Sequence, residues 1–471
     1  MKVRAVWNGE TIADSEKCAL VEGCYYFPPD DVDEEKLRST RDRARCKRKG
    51  TAHYFDVVAA GRVNPAAAWS FPRPKRYFAE YKGYVAFWRG VEIRVGTGLA
   101  ARALQMNRKD SKHPQQPPST FAAAQPRLYE FFRLIPKTEI HLHIEGTATP
   151  ETIFRLIKKN KLDLPGISSK QDLRNRFQVD DLAKFIELFT EVIQPSVVEE
   201  EDFAYLIRDL REYLRRNNIV YAEVFYAPTR FVQNGLSFEA MIKTLDDAAE
   251  AAEREDGIRI RYIVDVSRGF GEKNAMNNLE LTLANRIPRI VGIGLGGAEK
   301  PNPARSFRAV FRRARSNGLA VVAHAGEEVG PESIWEALMV LGAQRIGHGI
   351  SAYKDPKLMD YLREHQIPLE VCPTSNIFTG AFAKTLSEHP IGHLYHEGLN
   401  VTVNTDDPSV FSVQLADELI NLCNYSLLAV DEVLEIVRNG YYATFLPEAE
   451  KTRMWNAALV EIKKLRAEHG L

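Results

Sequence analysis

The sequence predicts an α/β protein: a (β/α)8 barrel of the TIM type, preceded by a small all-β domain. Three observations carry this. From Leu134 onward, eight apolar strand candidates are separated mostly by amphipathic helical stretches. Residues 1–96 instead hold short alternating segments broken by turns, with few helical patterns. Between the two, residues 97–127 carry a Pro- and Gln-rich run without apolar periodicity.

Composition bounds the function. At 471 residues the chain is long enough for two domains. Lys+Arg and Asp+Glu both number 63, so no global charge draws the chain to nucleic acid or to an anionic membrane. No apolar run reaches the length of a membrane span, and Met1 to Glu10 lacks the apolar core of a secretory leader. The five cysteines are scattered and odd in number, with no Cys-x-x-Cys pair, which points to reduced thiols in a cytoplasm.

In the first domain, Val3 to Trp7 alternates, Asn8-Gly9 is a hairpin turn, and Thr11 to Ala13 resumes the strand. Ala52 to Val58, Gly83 to Trp88 and Val91 to Val95 are rich in aromatic and β-branched residues. The segment has 18 Lys/Arg against 13 Asp/Glu, a surplus concentrated in Arg41-Asp-Arg-Ala-Arg-Cys-Lys-Arg-Lys49. That knot reads as a solvated hairpin or loop, with contact to phosphate as the alternative. Val6-Trp-Asn-Gly-Glu-Thr-Ile-Ala-Asp-Ser15, Cys46-Lys-Arg-Lys-Gly-Thr-Ala-His-Tyr54, Ala68-Trp-Ser-Phe-Pro72 and Tyr84-Val-Ala-Phe87 resemble domain-of-unknown-function family 427. That resemblance implies a compact β fold and brings no settled activity. Residues 97–127 follow as an extended, mobile linker, and residues 128–471 form the barrel.

The barrel strands are expected at Thr138–His143, Ile219–Tyr226, Ile258–Val266, Ile290–Leu295, Ala320–His324, Arg345–His348, Pro368–Cys372 and Asn400–Asn404. Active sites of such barrels lie at the carboxyl ends of the strands. Those ends carry His141 and His143, then His324-Ala-Gly-Glu327, then His348, then Asp406-Asp407. In Thr138-Glu-Ile-His-Leu-His-Ile-Glu-Gly146, the histidines at i and i+2 share one face of a strand, so both can reach one metal ion. With His324 and one of the two aspartates they offer three nitrogens and a carboxylate, a donor set that suits zinc and leaves a position for water. Such an ion makes hydroxide available near neutral pH. Glu327 is near enough to exchange a proton beside it, and His348 can hold the attacking hydroxide. The adjacent aspartates cannot point the same way on a strand, so the second has another task, a hydrogen bond to substrate or nucleophile.

His141-Leu-His-Ile-Glu-Gly146, Gly292-Ile-Gly-Leu-Gly-Gly-Ala-Glu299, His324-Ala-Gly-Glu327, Gly347-His-Gly349, Cys372-Pro-Thr-Ser-Asn376 and Asn404-Thr-Asp-Asp-Pro408 resemble, in order, the adenosine deaminase family of zinc aminohydrolases. The resemblance implies one Zn2+ at His141, His143, His324 and Asp406. It implies that Glu327 protonates purine N1 as hydroxide adds to C6, and that His348 orients the hydroxide. Asp407 would bond near the hydroxide and N7, the Gly297 N–H would meet N3, and ammonia would leave to give a 6-oxopurine. Glu145 stands where adenosine deaminases proper tend to have Asp beside the ribose. In this it resembles adenine deaminases and the bacterial aminodeoxyfutalosine deaminases of menaquinone synthesis, the nearest group by the runs at 294–299 and 367–376. The benzoate on that group's substrate makes Arg268 a candidate partner.

Two other readings compete with a purine nucleoside aminohydrolase. A different hydrolase of the same barrel class would place a carbamylated lysine on strand four, where this chain has Leu295-Gly-Gly-Ala-Glu299. A nucleoside-binding non-enzyme would have lost Glu327 or a ligand, and all are present. Cytidine-type deaminases share a His-x-Glu, as in His143-Ile-Glu145, but need a Pro-Cys-x-x-Cys that this chain lacks.

Overall fold

The computed structural model describes residues 2–21, 24–46, 49–88, 91–95, 126–179, 182–426 and 428–471. The chain folds as two compact units. The expected linker lies outside the described residues except for Pro126 and Arg127, which open a helix, Pro126–Leu134.

The first unit is built around antiparallel sheets. Its strands are β1 (Val3–Trp7), β2 (Glu10–Ser15), β3 (Ala19–Val21), β4 (Cys24–Tyr26), β5 (Leu37–Cys46), β6 (Gly50–Ala59), β7 (Arg62–Ser70), β8 (Val85–Phe87) and β9 (Glu92–Val95). They form sheets ordered β2-β1-β9 and β5-β6-β7-β8 and a β3-β4 hairpin, every pair antiparallel. Asn8 and Gly9 both have positive φ, as a two-residue hairpin matched to strand twist requires. Apolar faces close two clusters, one around Val3, Ile12, Phe27 and Val57, the other around Tyr26, Trp69, Phe71 and Phe78.

The basic knot is partly a strand. Arg41 to Cys46 lies in β5, paired with β6 as Arg43↔His53 and Ala44↔Ala52. Arg41, Asp42 and Arg43 are exposed in succession where the register shifts between Ser39 and Arg43, and Ala44 packs on the second cluster. Lys47 and Arg48 lie outside the described residues.

The second unit is the barrel. Its strands are β10 (Lys137–His143), β11 (Ile219–Tyr226), β12 (Arg259–Ser267), β13 (Ile290–Gly296), β14 (Ala320–Ala325), β15 (Arg345–His348), β16 (Leu369–Val371) and β17 (Val401–Val403). They run parallel in chain order, each beside the next, within about a residue of the expected bounds. Helices Phe203–Arg216, Phe238–Asp256, Gly271–Ala284, Arg308–Ser316, Pro356–His365 and Val430–Ala443 bury one face each, which covers strands that are apolar on both sides. No helix among the described residues is long and apolar enough to cross a membrane.

The ring closes at its functional end. A parallel bridge joins Leu142 to Asp406. There the His143 N–H donates to the Asp406 carbonyl at 3.0 Å and the Asp406 N–H to the His141 carbonyl at 3.2 Å. Backbone closure therefore fixes three candidate ligands relative to one another.

Candidate active site

His141, His143, His324, His348 and Asp406 converge at the carboxyl ends of β10, β14, β15 and β17. One donor atom from each of His141, His324, His348 and Asp406 lies within 4.8 Å of the others, and all four residues are buried. His143 joins them, with Nε2 at 3.3 Å from His324 Nε2 and 3.3 Å from Asp406 Oδ1. His141 Nε2 is 3.5 Å from the same Oδ1. Asp406 and His348 hold φ of 66° and 60°, a left-handed conformation that is costly for non-glycine residues and tends to occur where side chains must be aimed.

The donor set fits a metal ion. His141 Nδ1 bonds Glu370 Oε2 at 2.7 Å, which leaves a buried Nε2 without a hydrogen-bond partner, facing the cluster. A carboxylate behind an imidazole is the arrangement that fixes a ligating histidine's tautomer. Asp406 Oδ2 likewise accepts from Ser375 Oγ at 2.7 Å, so its other oxygen is the one presented to His141 and His143. Phe225 stacks on the His143 ring at 4.8 Å and holds its plane. Gly347 lets His141 and β14 approach, because a Cβ there would stand 2.8 Å from His141 Cε1. At Gly146 a Cβ would lie 1.9 Å from Asp407 Oδ1, so only glycine leaves room for that carboxylate.

Glu327 sits beside this cluster, its Oε2 3.4 Å from His348 Nε2. Burial, and then the negative charge of Asp406, Glu299 and Glu328, push its carboxyl well above the ordinary range. Burial pushes Asp407 up in the same way, with Asp406 the next cause. Burial raises Glu145 to about 7, and neither of its oxygens has a hydrogen-bond partner within bonding geometry. Burial drives His324 well below the imidazole range, with the neighbouring His141 the next cause. Gly297, exposed and with φ of 89°, follows the end of β13.

Arg268 is bound into the backbone at the strand ends. It lies past β12 as expected, but it is fully buried. Nη1 donates to the Asn302 carbonyl at 2.9 Å and Nη2 to the His324 carbonyl. Its Nε is buried without a hydrogen-bond partner. The side chain braces the strand end that carries His324.

Several residues carry no signal of their role in the sequence alone. Glu299 accepts the N–H groups of Gly326, Glu327 and Glu328 at 3.0, 2.9 and 3.0 Å and the Ser333 hydroxyl at 2.5 Å. It clasps the loop that carries Glu327. A Glu299→Gln variant turns a donor toward those N–H groups, so kcat is expected to fall about 10–100-fold with metal content unchanged. Paired kinetic and metal measurements check this, and unchanged kcat would remove the role. Behind His141, Glu370 Oε1 meets Arg345 Nε at 2.5 Å and Arg345 Nη1 meets Glu223 Oε2 at 2.5 Å, a buried line of charge through the barrel. The available hint was a single charged residue inside an apolar run, as at Leu369-Glu-Val371, which burial makes costly without a partner. Asp265 is another, buried beside the site with Oδ1 unpaired.

A barrel with imidazoles, an aspartate and a neighbouring glutamate carboxyl gathered at its carboxyl end defines a metal-dependent hydrolase site of the amidohydrolase type. The family model described as adenosine deaminase matches residues 136–459, and the chain belongs to that family. Residues 1–97 match the family described as a domain of unknown function, DUF427. The chain is 36% identical over 331 residues to an aminodeoxyfutalosine deaminase of Streptomyces avermitilis, covering 69% of this chain and 91% of that one. It is 34% identical to an adenine deaminase of Hahella chejuensis, covering 69% and 97%. The solved adenine deaminase of Arthrobacter aurescens superposes with a TM-score of 0.67 at 32% identity, over 70% of this chain and 99% of that one.

Proposed function

We propose that the chain catalyses hydrolytic deamination of a 6-aminopurine nucleoside, adenosine or 6-aminodeoxyfutalosine, to the 6-oxopurine and ammonia, with one Zn2+ as cofactor. The observation that carries this is the position of the Glu327 carboxyl, its Oε2 3.4 Å from His348 Nε2, beside the His141, His143, His324 and Asp406 cluster. A bound zinc ion would supply Lewis-acid activation of water at neutral pH. Glu327 delivers its proton to ring N1, which makes C6 electrophilic and breaks the ring's conjugation at lower cost. His348 orients the attacking oxygen, and Asp407 bonds near it and ring N7. The Gly297 N–H serves N3. Glu145, buried with open acceptor oxygens, suits an N–H or O–H donor on the far side of the base.

Free adenine is the second reading, favoured by the adenine deaminases among the relatives and by Glu at position 145. We assign the chemistry to residues 128–471 and the setting to a cytoplasm, with Cys372 a buried thiol outside any disulfide. The discriminating experiment is a comparison of kcat/KM for aminodeoxyfutalosine, adenosine, 5′-methylthioadenosine, S-adenosylhomocysteine and adenine. A preference for either of the first two supports the nucleoside reading and a preference for adenine the second. Silence across the panel in folded, zinc-loaded protein would leave a binding protein and end the proposal.

A further inference from the structure

The imidazole of His348 ends a line of buried hydrogen bonds whose direction is set at its far end. Ile391 is the first residue of helix Ile391–His396, and its N–H has no carbonyl within the helix to bond. It donates instead to His389 Nδ1 at 3.2 Å. A backbone N–H can only donate, so His389 Nδ1 carries a lone pair and the proton of this neutral ring sits on Nε2. His389 Nε2 lies 3.2 Å from Asn376 Oδ1, which must therefore be the acceptor. The Asn376 amide is thus oriented, and its Nδ2, 3.0 Å from His348 Nδ1, donates to that ring. His348 Nδ1 holds a lone pair, and the remaining proton is on Nε2.

The opposite amide orientation would ask His389 to accept at both ring nitrogens, which a neutral imidazole cannot do. His348, Asn376 and His389 are 1%, 0% and 6% exposed, so water does not compete.

We infer that His389 and Asn376 are positioning residues that lock His348 as an Nε2–H donor. The proton points at the space beside Glu327 and Asp406, whose oxygens are 3.4 and 3.9 Å from Nε2. His348 is thereby excluded from the metal's ligand set although its ring lies within the cluster, and the ligands are His141, His143, His324 and Asp406. A donor there holds an incoming oxygen and cannot itself take that oxygen's proton.

The test is the ring 15N spectrum of zinc-loaded, histidine-labelled protein, with His348 and His389 assigned by substitution. Both rings are expected to show Nε2 protonated and Nδ1 bare. Asn376→Asp replaces the donor by an acceptor of the same shape. It is expected to move the His348 proton to Nδ1 and to lower kcat by about 10²–10⁴-fold, as a wrong tautomer does, with KM little changed. His389→Gln keeps an N–H toward Asn376 and is expected to retain more activity than His389→Phe. An Nδ1-protonated His348 in the unmodified protein, or an Nε2 shifted by metal, would overturn the inference. An Asn376→Asp protein with unaltered tautomer and rate would do the same. The spectrum of the unmodified protein stands whether or not any purine is turned over, so failure of the proposed reaction is read separately.

Discussion

Glu327→Gln is expected to lower turnover by about 10²–10⁴-fold while metal content stays that of the unmodified protein. The amide keeps the shape of the carboxyl and its place near His348 Nε2, 3.4 Å away in the structure. What it loses is a transferable proton. Burial and the neighbouring carboxylates of Asp406, Glu299 and Glu328 push that carboxyl well above the ordinary range, the direction that suits a group handing on a proton. Steady-state kinetics and metal analysis on one preparation check both halves. Near-normal rates would show that N1 protonation comes from another group.

Arg345→Met is expected to cost about 3–5 kcal/mol of stability, because it leaves two buried carboxylates without their cation. Arg345 is 1% exposed and lies between Glu223 and Glu370, 2.5 Å from each, with its guanidinium 3.8 Å from the Phe445 ring centre. Glu370 in turn holds His141. Loss of the arginine should therefore also weaken metal binding by about 10–100-fold through the tilt of one ligand. Denaturant midpoints and competition with a chelator measure the two effects. An unchanged midpoint would mean that the buried line of charge contributes nothing, whatever its geometry.

How much of the site is legible in the sequence follows from the range of each signal. Strand positions and the two histidines of β10 are readable because alternation is local and apolar barrel strands are short runs with clear ends. The order of motifs along the chain then places His324, His348 and Asp406 at strand ends, where the barrel brings them together. The partners of those residues are not readable. Glu370 meets His141 across 229 positions, and nothing near Leu369-Glu-Val371 says which histidine it serves. Arg268 shows the same limit. Its place past β12 is a local fact, but the turn of its guanidinium depends on carbonyls at Asn302 and His324, far along the chain. The basic end of β5 reads as a solvated hairpin or loop, and its antiparallel pairing with β6 makes it one arm of a hairpin with Arg41 and Arg43 exposed.

Ammonia release from aminodeoxyfutalosine, adenosine and adenine, followed before chelation, after it, and after return of one equivalent of Zn2+, tests the central claim most directly. The predicted result is turnover of at least one of them with the ultraviolet change of 6-amino- to 6-oxopurine, lost on chelation and restored by the ion. Turnover indifferent to chelation, in protein shown to be metal-free, would contradict it.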